Sequence, residues 1–161
     1  MAWGKNGTPD TLGSAGATIE ITDLTGLKFN QILAHTFYST KAAQDFTFNS
    51  DSTSVYARRN SNNGGADTTG TSLALIDLRF NSTEEYLHVI YSCWISGEEK
   101  LAIAFDVGFN VAGAGNAPSR KEVVFKYVPS PLTDTISAVK LNKGSFTNFN
   151  TNSNISALGT D

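Results

Sequence analysis

The sequence is short of the residues on which most enzyme chemistry and most covalent stabilisation depend. It holds one cysteine, Cys93, and two histidines, His35 and His88, in 161 residues. A single cysteine excludes an intrachain disulfide, and one set among apolar neighbours is expected to be a buried, inert thiol rather than a nucleophile. A zinc site takes three or four ligands on a prepared scaffold, and no HxxxH, HxH or CxxC spacing occurs, so no metal is expected. Charged residues make up 17% and the net charge is -3, which argues against a chain that coats nucleic acid. No apolar run approaches the roughly 20 residues that span a bilayer. The opening MAWGKNGTPD lacks the apolar stretch of a secretory signal, so synthesis in a cytoplasm without a cleavable export signal is expected. G-x-S-x-G, P-loop and G-x-G-x-x-G motifs are missing as well, leaving no expected catalytic or cofactor-binding residue and no cofactor.

What the sequence does have is alternation. Residues 85–110, EYLHVIYSCWISGEEKLAIAFDVGFN, read as two long β-strands joined by a tight turn at Ser96-Gly97-Glu98-Glu99. On the second arm Leu101, Ile103, Phe105, Val107 and Phe109 share one face, and Ala102, Ala104, Asp106 and Gly108 share the other. Five large apolar residues at every second position predict that their face is buried. A helix would scatter them around its circumference. The first arm is apolar on both faces, with Leu87, Val89, Tyr91, Cys93 and Ile95 opposite Tyr86, His88, Ile90, Ser92 and Trp94, which predicts a central strand.

Shorter strands are predicted over 17–24 (Ile19 and Ile21 inward), 29–38, 45–48 (Phe46 and Phe48 on one side), 54–59, 73–80, 120–128 (Val123, Phe125 and Tyr127 inward) and 135–141. Residues 60–71, NSNNGGADTTGT, read as the longest loop. About nine strands punctuated by Gly, Pro and Asn turns predict an all-β fold, an antiparallel β-sandwich of jelly-roll or Greek-key type. The domain is expected over 17–141. It is flanked by a polar N-terminal arm, 1–16, anchored by Trp3, and a polar C-terminal tail, 142–161, anchored by Phe146, Phe149, Ile155 and Leu158. Each arm is too polar to fold alone but carries apolar anchors that a neighbouring subunit could bury.

Candidate chemistry is sparse. Glu84-Glu85 and Glu98-Glu99 are adjacent on strands or at a hairpin tip, so neither pair spans a sugar cleft as a glycosidase requires. Glu98 and Glu99 read as solvated charge, or as ion-pair partners of Arg120 or Lys126 that set register. Tyr56, Arg58 and Arg59 could bind an anionic group or stack on a base or sugar, or could be plain surface charge. Residues 49–54 and 62–67, ending at Asp67, hold enough oxygen ligands to raise calcium, yet neither matches the D-x-[DN]-x-[DN]-G loop; turn chemistry explains them too.

Several segments together resemble a known family. They are WGKNGTPDTL at 3–12, YARRNSNNGGAD at 56–67, SGEEKL at 96–101, AGAGNAPSRKEVVFKY at 112–127 and SNISALGTD at 153–161. In that order they resemble a family of small uncharacterised proteins of marine tailed bacteriophages that look like virion structural proteins, either capsid decoration or tail-associated modules. The resemblance implies a non-enzymatic virion protein, made in the host cytoplasm and released by lysis, that self-associates and docks on other virion proteins such as the major capsid or tail proteins. A trimer is the oligomer expected by analogy with sandwich decoration and fibre proteins. The expected interaction residues are Trp3, Tyr56, Arg58, Arg59, Asp67, Phe146, Phe149 and Leu158. A lectin-like module that binds host surface glycan is the alternative, and an enzyme acting on glycan is a third reading that only the fold class permits.

Overall fold

Period-two alternation organises the chain into strands from near its start to its last residues. The computed structural model describes residues 2–38, 44–78, 85–109, 113–144 and 147–161, and the predicted anchor Phe146 lies outside them. Among the described residues there are thirteen strands and no helix. In chain order they are β1 (Gly4–Lys5), β2 (Asp10–Thr11), β3 (Thr18–Ile21), β4 (Phe29–Phe37), β5 (Asp45–Phe48), β6 (Tyr56–Asn62) and β7 (Thr68–Leu73). There follow β8 (Ile76–Asp77), β9 (Glu85–Cys93), β10 (Lys100–Phe109), β11 (Ser119–Tyr127), β12 (Val139–Asn142) and β13 (Asn154–Thr160). Every pairing is antiparallel. The protein is an all-β antiparallel sandwich. A nine-stranded sheet runs β1-β13-β4-β9-β10-β11-β6-β7, with β2 also on β13, and a four-stranded sheet runs β3-β12-β5-β8.

The predicted central hairpin is present, with β9 and β10 in register from Leu101↔Cys93 to Phe109↔Glu85 and Gly97 at positive φ in the turn. Lys100 locks its base. Its buried ammonium donates to the carbonyls of Ile95 at 2.6 Å, Glu98 at 2.7 Å and Leu132 at 2.9 Å, tying the turn to the loop after β11.

The predicted burial of β10 is reversed. Ala102, Ala104, Asp106 and Gly108 face the core, and Leu101, Ile103, Phe105, Val107 and Phe109 face solvent. Phe105 is 44% exposed and Val107 43%, whereas Ala104 is 0%. Alternation separates two faces but does not say which is inside. The inward space is taken by rings from both sheets. Phe125 lies beside Ala102 in the β10–β11 register and its ring sits 5.9 Å from both Phe46 and Phe48 of the small sheet. Trp94 meets Phe48 edge-on, and Tyr56 stacks on Tyr127 at 5.0 Å. Small residues on β10 leave room for this layer, and interiors packed to crystal density admit no second set of large side chains there. Elsewhere the inward assignments match: Ile19, Ile21, Phe46, Phe48, Val123, Phe125 and Tyr127 are all buried.

The termini are a second correction, because both fold back on their own domain. β13, read as tail, pairs with β4 from Asn154↔His35 to Thr160↔Phe29 and buries Ile155 and Ala157. β1 and β2 of the N-terminal arm then add to β13. Buried Asn6 clasps the arm: its amide donates to Asn30 Oδ1 at 2.8 Å and to the Thr25 carbonyl at 3.0 Å, and its Oδ1 accepts from the Thr25 amide at 2.8 Å. Gly159 lies under this clasp, where a Cβ would stand 2.7 Å from Leu27 Cδ1 and 2.9 Å from Asn30 Oδ1. Backbone hydrogen bonds satisfied at long sequence separation, rather than apolar bulk, hold these polar segments. The predicted loop 60–71 is likewise partly strand, since β7 pairs with β6 through a turn with Asn63 and Gly64 at positive φ.

The reversal on β10 has a mutational signature. In dilute protein, Ala104→Leu should lose about 1–3 kcal/mol through overpacking, whereas Phe105→Thr should stay within about 1 kcal/mol of the native chain. Chemical denaturation measures both, and the opposite ranking would place Phe105 in the core.

Candidate functional site

The outward face of the nine-stranded sheet is the dominant surface feature. Register carries apolar rows across it. Leu33, Val89 and Phe105 form one row, His35, Leu87 and Val107 the next, and Phe37, Glu85 and Phe109 a third. In the other direction Gln31, Tyr91, Ile103, Val124 and Arg59 align, followed by Phe29, Cys93, Leu101, Lys126 and Ala57. Leu101 is 58% exposed, and Leu87, Tyr91, Ile103, Phe109 and Val124 are each exposed to 40% or more. A monomeric soluble protein rarely leaves a contiguous apolar patch of this kind, and such patches mark interaction surfaces.

The face is not flat. An open depression of about 780 Å³ crosses its lower rows, lined chiefly by Trp3, Phe29, Tyr91, Leu101, Ile103 and Val124. Phe105, Val107 and Phe109 stand on the same strand outside it. The rim carries ion pairs and a histidine–carboxylate hydrogen bond. Lys126 pairs with Glu99 at 2.8 Å, Arg59 with Asp67 at 3.3 Å, Arg120 with Glu122 at 3.5 Å, and His35 Nε2 with Glu85 Oε1 at 2.6 Å. At the hairpin tip the Lys126–Glu99 pair is the alternative to plain solvated charge, across the β10–β11 register.

The predicted interaction residues divide. Trp3 is exposed at the depression, and Arg59 with its partner Asp67 lies at the opposite border. Leu158 is half-buried on the outward side of β13, opposite Gln31. Tyr56 and Phe149 are corrections, because both are internal. Tyr56 is fully buried, its hydroxyl accepting from the Phe48 amide at 2.9 Å, and burial pushes its phenol well above the ordinary range. Phe149 is fully buried against Tyr38, with ring centroids 5.0 Å apart. Arg58 also points inward and donates to the Asp77 carbonyl at 3.1 Å. The physical reason is period two: on β6 the inward set is Tyr56, Arg58 and Asn60, so neighbouring Arg58 and Arg59 part company. Tyr56, Arg58 and Arg59 therefore do not form one binding platform.

The outward residues of β10, with Leu87, Tyr91 and Val124, were not anticipated as a site. One signal was legible. β4 and β9 both carry apolar residues on both faces, more apolar face than the four-stranded sheet can cover.

Inside the sandwich sits a polar network. His88 Nδ1 lies 2.6 Å from Asp106 Oδ1, and its Nε2 lies 3.0 Å from Gln44 Oε1, which also accepts from Thr36 Oγ1 at 3.0 Å. Lys121 donates to the Asp77 carbonyl at 2.9 Å, and its Nζ is 3.8 Å from Asp77 Oδ1. His88, Asp106, Gln44 and Thr36 are all buried to 0–1% exposure, so no solvent-borne substrate reaches them. They pin β4, β9 and β10 to the segment leading into β5. Among the described residues, no three His, Cys, Asp or Glu side chains gather as a metal-binding group. No family model matches the chain, and no curated protein matches it.

Burial pushes the Asp106 carboxyl above the ordinary carboxylate range, against the pull of His88 and Lys121. A raised folded value means that the fold prefers the protonated acid. This contribution is complete below the unfolded value of about 3.9 and is lost as pH rises through the folded value. Asp106→Asn removes it. As pH rises from about 4 the variant should therefore lose less stability than the native chain in thermal melts. An equal or steeper loss in the variant would contradict the assignment.

Proposed function

We propose that the protein is a non-enzymatic structural component of a virion, a capsid-decoration or tail-associated module, which works by self-association and by docking on the particle. The observation that carries the reading is the uncovered apolar face of the nine-stranded sheet. Its side chains are those of a protein interior, and burying such area at about 25 cal/mol per Å² drives protein association. The resemblance of the ordered segments to phage structural proteins supports the same reading from the sequence side. Docking belongs to this face rather than to free arms, because the N-terminal segment and β13 are consumed in the sheet. Trp3, an exposed ring at the depression, is placed where it could take part in that docking.

Co-sedimentation with the virions whose genome encodes the chain tests the proposal. The native protein should pellet with particles, and Trp3→Ala and Phe105→Arg should pellet poorly while melting within a few degrees of the native chain. A native protein that stays monomeric and has no affinity for particles would contradict it, as would variants that lose docking only in step with stability.

A further inference from the structure

A narrower inference rests on that reading and names the partner. We propose that the outward face pairs with the same face of a second copy, about a two-fold axis that passes through Phe105 on β10.

The first support is area. Besides Trp3, its exposed large apolar residues include the five of β10 with Leu87, Tyr91 and Val124, and the exposures of these eight run from 40% for Phe109 to 58% for Leu101. Together they leave roughly 600–800 Å² open, close to the about 800 Å² that each partner contributes to a standard interface. One copy facing another therefore supplies what a stable dimer needs.

Charge is the second. Lys126–Glu99, Arg59–Asp67 and Arg120–Glu122 are matched within the face, His35 is hydrogen-bonded to Glu85, and the Lys28 ammonium stands 5.2 Å from the Phe29 ring centroid. An anionic lipid surface or a nucleic acid is met by an excess of Lys and Arg, which this rim does not offer. The axis sets Glu122, the register partner of Phe105, near the Glu122 of the second copy, and the Arg120 beside each carboxylate offsets that approach in an isologous contact.

Shape is the third. Leu101 and Ile103 line the depression, while Val107 and Phe109 stand outside it at the other end of the same strand. Phe105 is the midpoint. A two-fold axis there lays the copies' β10 strands antiparallel, sets Phe109 against Leu101 and Val107 against Ile103, and brings Phe105 onto itself. The end of β10 outside the depression on each copy then meets the end that lines it on the other. Two sheets packed in this way keep strand directions within about 30° and lie about 10 Å apart. A trimer cannot be built from this self-pairing, so the inference replaces the three-fold expectation with a two-fold one.

Sedimentation and cross-linking of the full chain test the arrangement. At about 50 µM the native protein should sediment at twice its 17.2 kDa mass, and Phe105→Arg should weaken association at least ~100-fold, the size of an interface hot spot. Ile103→Thr, which keeps a good strand former, should weaken association while melting like the native chain at dilutions where both are monomeric. For register, Cys93→Ser provides a thiol-free background. There Phe105→Cys alone should cross-link to itself with a short bis-maleimide, while Ile103→Cys and Val107→Cys should cross-link when mixed but not separately. A monomer at all concentrations, a trimer, a failure of Phe105→Cys to cross-link within a dimer, or binding to anionic vesicles by a chain that does not self-associate would each overturn the inference. The broader reading is judged apart from it: a monomer that still docks on particles through Phe105 sinks only the self-pairing, and a chain that does neither sinks both.

Discussion

Ala102 lies beside Phe125 and Ala104 beside Val123 on the inward side, under the aromatic layer of Phe46 and Phe48, and their small size sets how closely the two sheets approach at the centre of the molecule. The inward side of β10 cannot hold large side chains without forcing that layer apart. Because consecutive residues of a strand alternate, the bulk of β10 is committed to the opposite side. The sandwich's own packing thus requires the apolar outer face. Among the described residues a four-stranded sheet covers one side of the nine-stranded sheet, and the other side, apolar at its centre, has no layer over it.

The rest of the structure keeps that face broad. β13 joins β1 and β2 to β4 and so extends the large sheet beyond its apolar centre, held by the Asn6 clasp over Gly159. On the far side β11, β6 and β7 extend it again. Lys100 fixes the turn at one end of β9 and β10, and the His88–Asp106–Gln44 network fixes the interior beneath them. Buried polar groups of this kind give uniqueness more than stability. They hold the register of the strands that carry Leu87, Tyr91 and the outward residues of β10.

The sequence spoke most clearly where one face of a strand is fully buried and strongly apolar. β3, β5 and β11 were legible with the correct inward residues, and the β9–β10 hairpin with its turn. Orientation was not legible on β10, because alternation is symmetric between inside and outside and a large-residue face is ordinarily the buried one. β7, TTGTSL, was missed because an exposed edge strand has no buried face to create a pattern. β13 was missed because Ile155, Ala157 and Gly159 are a weak inward set, and its partner β4 lies more than a hundred residues away along the chain. Of the expected interaction residues, Trp3 and Arg59 reach the face, whereas Tyr56 and Phe149 are internal for the same reason that β10 is reversed: the ring layers between the sheets take most of the aromatic side chains near them.

Hydroxyl-radical footprinting across a dilution series, read residue by residue in mass spectrometry, tests the central claim most directly. Dilute protein should be oxidised at Phe105 and Phe109 and spared at Phe46 and Phe48, and the labelling of Phe105 should fall as concentration rises and the outer face is covered. If Phe105 is as protected as Phe48 in the dilute chain, the large side chains of β10 belong to the core and the account is wrong.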